Sequence, residues 1–391
     1  MRIVHLDDRV IGMKLGQTIH DRAGRVLLAA GVVLTQDYVR QLRQRGYLSI
    51  PVMDPLAPDA VPGDALREET RRAAMNVVAK TLERMRSNGV VTPQAVQLII
   101  DRILAEIRRE PNLALNVSML RNLDDGLFVH SVNVCVYSLL IAASLGIPPE
   151  DQRPLGIGAL LHDIGKVFYM ELVQKRGRLT PEEYERIQQH ARDGYDLLRR
   201  QPGMPILVAH VAYQHHERLD GSGYPRGLSG EAIHPWARIT AVADIYDTIT
   251  ADRTYGLGQP PHEAMAEVRA MAEEGKLDAR AVRALMGRLA VYPEGTILLT
   301  AAGEMAIVIG QTEVGSAPRV RVVTDGELNL RAPEVRVMDG SSPETTVRSV
   351  LADYPIKVLE QLERMDVPSP AQPHNDAAPQ PAAQDAPERI R

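Results

Sequence analysis

Several features that the sequence lacks set the first limits on what this chain can be. Cys135 is the single cysteine among 391 residues, so a disulfide framework is excluded and a reducing compartment is favoured. The net charge is only −5 and no long basic run occurs, which disfavours long nucleic acid as a partner. No stretch has the roughly 18 consecutive apolar residues of a membrane helix, and residues 1–8 lack the apolar run of a signal peptide. We therefore expect a soluble, cytoplasmic protein without membrane insertion, able to bind a small anionic ligand.

The distribution of turns, helix caps and apolar periodicity divides the chain into segments. Helical patterns dominate the middle, where Pro93 and Pro181 each follow a threonine at a predicted helix start. Short β-like runs separated by turns precede and follow this region. The predicted fold class is mainly α, a helical domain flanked by a small N-terminal α+β module and a small C-terminal β-rich module. The predicted segments are an α+β module (1–53), a proline-rich linker (54–64), a helical scaffold or dimerising stalk (65–122), the main helical domain (123–289), a β-rich module (290–342), a helical segment (343–366) and a disordered tail (367–391).

Histidines and aspartates recur through the main helical domain where predicted helices face the core or end. His130 interrupts a long apolar helix, and His190 lies on a later capped helix. His162 and Asp163 close another buried helix, with Gly165 as its predicted C-terminal cap. A lone histidine in such a helix is more often a hydrogen-bonded core residue than a ligand. An adjacent His-Asp pair can nevertheless bind one metal through nitrogen and a second through the carboxylate, because a carboxylate has two oxygens.

Two adjacent histidines lead directly into a glycine-rich loop. His215 and His216 end a predicted helix, and the loop that follows contains Gly221, Gly223 and Pro225. Glycine permits backbone angles that other residues avoid, and proline cannot donate to a ladder, so the N–H groups of this loop are free to face a ligand. The dipeptide alone is more typical of two surface or hydrogen-bonded core histidines, whereas the whole stretch has the layout of a metal site with a substrate-binding rim.

Charged residues elsewhere add to these candidates. Asp244 lies on a helix predicted to begin near Pro235, and Asp247, one turn later, competes with it for the same role. Lys166 follows Asp163 by three residues and can reach a phosphate group.

Together these residues resemble the HD-GYP family of HD-superfamily phosphohydrolases. The resemblance covers about residues 125–287. The motifs that carry it are His130, His162-Asp163-x-x-Lys166, His190, His215-His216-Glu217-x-x-Asp220-Gly221-x-Gly223-Tyr224-Pro225, and Asp244 followed by Asp252-Arg253. The resemblance implies a metal-dependent phosphodiesterase acting on cyclic di-GMP, a bacterial second messenger in signal transduction. It also implies two metal ions, one bound by His130, His162, Asp163 and Asp244, the other by Asp163, His190, His215 and His216, with Asp163 as the bridge.

The implied ligands also agree with general metal chemistry. Sites rich in imidazole and poor in carboxylate suit Fe or Mn, with Zn, Ni or Co as alternatives, better than Mg or Ca. A metal-bridging hydroxide would attack phosphorus while the metals and Lys166 neutralise charge on the phosphoryl oxygens. Lys166 and Arg253 are expected to hold phosphate. The loop residues expected to contact the substrate are Asp220, Gly221, Gly223, Tyr224 and Pro225.

One departure from the family pattern bears on the product. Some members carry a glutamate one turn before the first histidine, where it helps to hold a third metal, and Gly126 occupies that position here. Asp125 is one residue away and points about 100° from that direction on an ideal helix. We therefore expect two metals and release of the linear dinucleotide pGpG, with conversion onward to GMP as the alternative.

Two other functions remain open from the sequence. A different nucleotide phosphohydrolase of the same superfamily would need other base contacts. A non-catalytic receptor for cyclic di-GMP would signal through the stalk or the N-terminal module, but it would be free to lose ligands. Every expected ligand of a two-metal site is present, which favours catalysis. The sequence leaves open the metal identity, a homodimer and signalling protein partners.

Overall fold

The computed structural model describes most of the chain. The described residues are 1–21, 25–61, 65–91, 93–109, 126–175, 177–251, 258–312 and 316–365. Within them a helical domain lies between two small β-containing modules. The predicted mainly α fold class is therefore confirmed.

The N-terminal module combines four short strands with one helix. The strands form two antiparallel pairs, and Thr35 caps the helix through its side-chain oxygen. Leu15 and Ile50 are among the fully buried side chains of its separate apolar core. The elements are β1 (Arg2–His5), which pairs with β4 (Ser49–Val52), β2 (Ile19–His20), which pairs with β3 (Val26–Leu28), and α1 (Gln36–Gln44).

The helical domain is built around one apolar helix. Its helices are α2 (Glu68–Asn88), α3 (Pro93–Ile107), α4 (Gly126–Ser144), α5 (Pro149–Leu160), α6 (Met170–Val173), α7 (Pro181–Gln188), α8 (His190–Leu198), α9 (Ile206–Gln214), α10 (Pro235–Thr250), α11 (Pro261–Glu273) and α12 (Ala279–Met286), with a 3-10 helix at Ile164–Tyr169. Helix α4 packs against α2, α5, α10 and α12. Within the described residues it is the one helix long and apolar enough to cross a membrane, but 72% of its most apolar window is buried inside the protein. Its hydropathy is that of a core helix.

The two helices of the predicted scaffold or stalk belong to this same core. Ile100 on α3 is fully buried, and a Cβ placed on Gly156 of α5 would lie 3.0 Å from Ile100 and 3.1 Å from Leu139 of α4. Three helices therefore meet at this glycine, where a larger side chain would require Ile100 and Leu139 to move. Helix α2 contacts both α4 and the 3-10 helix that contains Lys166. The packing favours the scaffold interpretation.

Gly165 does not cap a helix, and this prediction is wrong. Helix α5 ends at Leu160, and Leu161 is the C-cap residue. Gly165 instead lies where the 3-10 helix crosses the start of α8, and a Cβ on it would lie 2.0 Å from the carbonyl oxygen of His190. Glycine is required by this close backbone contact, which brings Asp163 near His190. The predicted helix from Pro181 is also interrupted just before His190, giving α7 and α8.

The C-terminal module is a five-stranded antiparallel sheet covered by one helix. The strand order is β8-β7-β6-β5-β9, and the apolar residues Val358 and Leu362 of the helix pack on the sheet. The described part of the predicted linker packs here too, with Ala57 and Ala60 fully buried. The elements are β5 (Ile297–Thr300), β6 (Met305–Gly310), β7 (Arg319–Thr324), β8 (Leu330–Val337), β9 (Val347–Leu351) and α13 (Ile356–Arg364).

The helical prediction for residues 343–366 is wrong in its first half and agrees with α13 in its second. Strand β9 forms there because Leu351 and Val350 pair with Ile297 and Leu298 of β5. The partner strand lies about fifty residues earlier, so no local pattern reveals the pairing. The predicted disordered tail, 367–391, lies outside the described residues.

The packing of α3 predicts that it stabilises the whole helical domain. Ile100→Ala should lower the free energy of unfolding by about 2–5 kcal/mol because it removes a fully buried side chain. Fluorescence of Trp236, the single tryptophan, reports unfolding of this domain because the residue is buried in the same core. Leu98→Ala on the same helix is the control, since Leu98 is 73% exposed and its loss should change stability by no more than about 0.5 kcal/mol. An unchanged Trp236 transition in Ile100→Ala would contradict the packing of α3 into this core.

Candidate metal centre

Seven side chains from three helices, α4, α8 and α10, and from the turns that follow α5 and α9 converge in the interior of the helical domain. These are the seven residues predicted as metal ligands, and all but two of them are buried. The ligand atoms within each of two groups lie within 4.8 Å of one another. One group is His130, His162 and Asp244, and the other is Asp163, His190, His215 and His216.

Asp163 lies between the two groups. Its Oδ2 is 3.2 Å from Nε2 of His162 and 3.5 Å from Nε2 of His130. Its Oδ1 is 3.2 Å from Nε2 of His190 and 3.7 Å from Nε2 of His215. Each carboxylate oxygen thus faces a different pair of imidazoles, which is the geometry that a bridging ligand requires.

Asp244 occupies the opposite side of the cluster. Its Oδ1 is 3.2 Å from Nε2 of His130, and its Oδ2 is 3.7 Å from Nδ1 of His216. It therefore lies beside one histidine from each group. The two carboxylates together bring two negative charges into a site that is otherwise formed of imidazole rings.

Backbone carbonyls fix the tautomer of three of the histidines. A carbonyl oxygen can only accept, so each Nδ1 facing one must carry a proton, and in the neutral ring that binds a metal the lone pair is then on Nε2. These lone pairs point into the centre. The Nδ1 to oxygen distances are 2.7 Å for His162 and Ala159, 2.6 Å for His190 and Ile187, and 2.9 Å for His215 and Ala212.

This donor set fits divalent metal ions. Nε2 of His162 lies 3.2 Å from Nε2 of His130, and Nε2 of His190 lies 3.5 Å from Nε2 of His215. Two nitrogen lone pairs at this distance repel each other unless a cation or proton lies between them. Oδ1 of Asp163 and Nε2 of His216 are also buried without a hydrogen-bond partner, and binding a metal would satisfy such atoms.

The charges of these groups suit cation binding. Burial lowers the pKa of His215 and His216 well below the usual histidine value, and neighbouring imidazoles lower it further, so both rings are neutral. Burial opposes ionisation of Asp163, but His162 and Lys166 hold the pKa of this carboxyl well below its usual range. The centre therefore combines two neutral imidazoles, those of His215 and His216, with an ionised carboxylate.

Asp247 contacts Nδ1 of His130 and does not compete with Asp244 for the role of metal ligand. Its Oδ2 lies 2.7 Å from Nδ1 of His130, on the side of the ring away from Asp244, and its Oδ1 accepts a hydrogen bond of 2.8 Å from Asn133. Burial lowers the pKa of His130, but hydrogen bonds to Asp244 and Asp247 outweigh this and raise the pKa to about 9. In the sequence this role is indicated by the three-residue spacing of Asp244 and Asp247. That spacing places both carboxylates on one face of α10, where one imidazole ring can lie between them.

Glu217 has a structural role that the motif alone did not reveal. Its buried carboxylate accepts hydrogen bonds of 3.0 Å from the backbone N–H of Arg226 and 2.9 Å from that of Leu228. The glycine-rich loop is thereby fastened to the end of α9. Gly223 permits the approach, because a Cβ there would lie 2.4 Å from the carbonyl oxygen of His216.

The predicted substrate-contacting residues fall into two classes. Tyr224 stacks on His216 with ring centroids 4.5 Å apart, and Lys166 donates to Oδ2 of Asp163 at 2.5 Å, so both border the centre. Asp220 instead accepts hydrogen bonds from the N–H and hydroxyl of Ser222, and Gly221 has a φ of 83°, so this pair shapes the loop. Pro225 follows Tyr224 in the same loop. Arg253 lies outside the described residues.

Comparison with known proteins agrees with this geometry. A family model described as an HD domain matches residues 114–281. The cyclic di-GMP phosphodiesterase PA4108 of Pseudomonas aeruginosa is 34% identical over 306 residues, which cover 76% of this chain and 73% of that protein. The cyclic di-GMP phosphodiesterase response regulator RpfG of Xanthomonas campestris is 43% identical over 150 residues, 38% of this chain and 39% of that protein.

A further relative has a different substrate in its name. The 3'3'-cGAMP-specific phosphodiesterase 1 of Vibrio cholerae is 40% identical over 154 residues, which cover 39% of this chain and 36% of that protein. The chain thus spans nearly three quarters of the Pseudomonas protein and less than half of the other two. From its motifs, its helical fold and these similarities, the chain belongs to the HD-GYP family of HD-domain phosphohydrolases.

Proposed function

We propose that this protein is a metal-dependent phosphodiesterase that hydrolyses cyclic di-GMP to the linear dinucleotide pGpG in the cytoplasm. The observation that carries the proposal is the position of Asp163, whose two oxygens face separate pairs of imidazoles. The two similar proteins named as cyclic di-GMP phosphodiesterases support the choice of substrate.

The proposed metals are two divalent transition-metal ions. His130, His162 and Asp244 would hold one, His190, His215 and His216 the other, and Asp163 would contact both. When bound, such a pair supplies an activated water and neutralises charge on the phosphoryl group. The predominance of imidazole over carboxylate favours Fe or Mn.

The chain's own residues would orient the substrate around this centre. Lys166 lies at the edge of the site with 21% of its side chain exposed, so its ammonium group can reach a phosphoryl oxygen. Tyr224 covers one face of His216 and forms the rim with the glycine-rich loop. Arg253 is proposed as a second phosphate contact. Glu217 would keep the loop in place while substrate enters.

A second cyclic dinucleotide is the main alternative substrate, because the Vibrio relative is named for 3'3'-cGAMP. A non-catalytic receptor is less well supported, because all seven ligand positions are retained and converge.

Parallel assays with cyclic di-GMP and 3'3'-cGAMP separate these functions. Faster hydrolysis of cyclic di-GMP supports the proposal, and binding without hydrolysis of either compound contradicts it.

Asp163→Ala should remove both metal ions and all turnover, since one carboxylate serves both positions. Metal content per chain is measured by plasma mass spectrometry after loading with Mn²⁺. His130→Ala and His190→Ala should each lose mainly one ion. Asp101→Ala is the control, because Asp101 pairs with Arg153 on the exposed surface of the domain. Full metal occupancy in folded Asp163→Ala would show that the ligand assignment is wrong.

Lys166→Met should retain both metals and lower kcat/KM by roughly 10- to 100-fold, because a hydrogen bond to a charged group contributes about 1.5–3 kcal/mol. Steady-state kinetics and metal analysis on the same sample test this. Lys175→Met is the matched control, since Lys175 pairs with Glu183 away from the centre. Loss of metal from Lys166→Met, or unchanged kinetics, would argue against a phosphate contact.

The product should be pGpG, because the second cleavage acts on a substrate with an additional terminal phosphate charge and Gly126 has no side chain to hold a further cation. Among the described residues, no atom would lie within 4 Å of a Cβ placed on Gly126, so substitution there is open to test. A chromatographic time course should show accumulation of pGpG, and Gly126→Glu should increase conversion to GMP, whereas the uncharged Gly126→Gln should not. GMP formed without lag by the unmodified protein would contradict this prediction.

A further inference from the structure

A charged side chain outside the HD-GYP motifs is completely enclosed beside the centre. Arg71 lies on α2, is 1% exposed and heads the fully buried side chains ranked by volume. Its Nη1 donates to Oδ1 of Asn133 on α4 at 3.3 Å. Burying a guanidinium costs several kcal/mol unless hydrogen bonds and opposite charge offset it. Acceptors that carry full or partial negative charge must therefore offset the burial of Arg71.

The hydrogen bonds that begin at Arg71 have a fixed direction. A guanidinium only donates, so Asn133 must present its oxygen to Arg71 and its NH2 group to Asp247. Asp247 is 0% exposed and accepts at Oδ1, which leaves Oδ2 to accept from Nδ1 of His130. Nδ1 of His130 then carries a proton, and its Nε2 faces Nε2 of His162 at 3.2 Å.

His130 differs in this respect from three other histidines of the centre. Backbone carbonyls three residues earlier in the chain accept from His162, His190 and His215, so the group that faces each Nδ1 lies in the same stretch of chain as the ring. His130 is held by the side chain of Asp247, which in turn receives a hydrogen bond from another side chain. A substitution on α2 can therefore change the orientation of His130 without changing the other three.

We infer that Arg71 is a positioning residue for the half of the metal centre that contains His130, acting through Asn133 and Asp247. The inference rests on the proposed two-metal function. Partners of metal-binding histidines typically alter metal affinity by about 10- to 100-fold. The effect of Arg71 should be selective, because the hydrogen bonds through Asn133 and Asp247 end at His130, which belongs to one half of the centre.

Titration of the metal-free full-length protein with Mn²⁺ tests the inference. Isothermal calorimetry gives the dissociation constants, and electron paramagnetic resonance distinguishes coupled pairs from single ions. In Arg71→Met one dissociation constant should rise by about 10- to 100-fold while the other changes less than twofold. The coupled-pair signal should be lost at Mn²⁺ concentrations that still populate the single-ion signal. Arg71→Lys, which keeps a donor and the charge, should lie between Arg71→Met and the unmodified protein.

Arg72→Met is the control on the same helix, because Arg72 pairs with Glu68 at 3.6 Å on the outer side of α2. It should leave both constants unchanged. Asn133→Leu should reproduce the selective loss, and the double variant Arg71→Met/Asn133→Leu should lose no more affinity than the more affected single variant, because the two residues act in series. If Arg71→Met does not fold, as judged by Trp236 fluorescence, Arg71→Lys and Asn133→Leu provide the test.

The outcomes separate the two claims. Fewer than two Mn²⁺ ions bound by the unmodified protein would contradict the proposed function. Two ions bound by the unmodified protein, with both constants unchanged in the folded Arg71 variants, would overturn only the role of Arg71. Equal weakening of both ions would also overturn it, because that result indicates a general effect on the fold.

Discussion

A buried carboxylate beside four imidazoles is the interaction on which the rest of the site depends. Asp163 is excluded from water and remains ionised because His162 and Lys166 lie against it. An isolated charge in this position would be strongly disfavoured. The close contact of Gly165 with the backbone of His190 brings the turn that carries Asp163 near the start of α8. The backbone contact at Gly165 and the ionised state of Asp163 therefore depend on the same short turn.

Around this carboxylate the protein orients its rings in two ways. His162, His190 and His215 take their tautomer from backbone carbonyls. His130 is oriented by Asp247, a side chain on another helix. A side chain also holds the rim in place, because the buried carboxylate of Glu217 accepts hydrogen bonds from the backbone of the glycine-rich loop. The site is stabilised by groups that need not touch a substrate.

Sequence patterns predicted the helices that carry the candidate ligands, and the structure brings those ligands together. His215 and His216 follow an apolar helix face, and Asp244 lies on a helix with a clear proline start, so local signals were sufficient. The same signals failed where tertiary contact decided the structure. Gly165 was predicted to cap a helix because it follows the apolar run of α5 in the sequence. Its role as a close contact with the backbone of His190 becomes visible only once α8 is placed beside it.

Strand β9 and the buried Arg71 were missed for the same reason. The pairing of β9 with β5 joins segments far apart in sequence, and Arg71 looks like any other charged residue of a solvent-facing helix until α2 is placed against α4. Asp247 was identified as a candidate, but its role depends on which ring nitrogen it meets. Local periodicity indicates which residues face inward, and it does not indicate what they face.

The central claim is that Asp163 joins two metal ions, and anomalous X-ray diffraction from crystals of the Mn²⁺-loaded protein tests it most directly. The account predicts two anomalous peaks about 3.5–4 Å apart, one near His130 and His162 and one near His190 and His215. The carboxylate of Asp163 should lie between them with one oxygen toward each peak. A single peak, or two peaks with Asp163 contacting only one of them, would contradict the account.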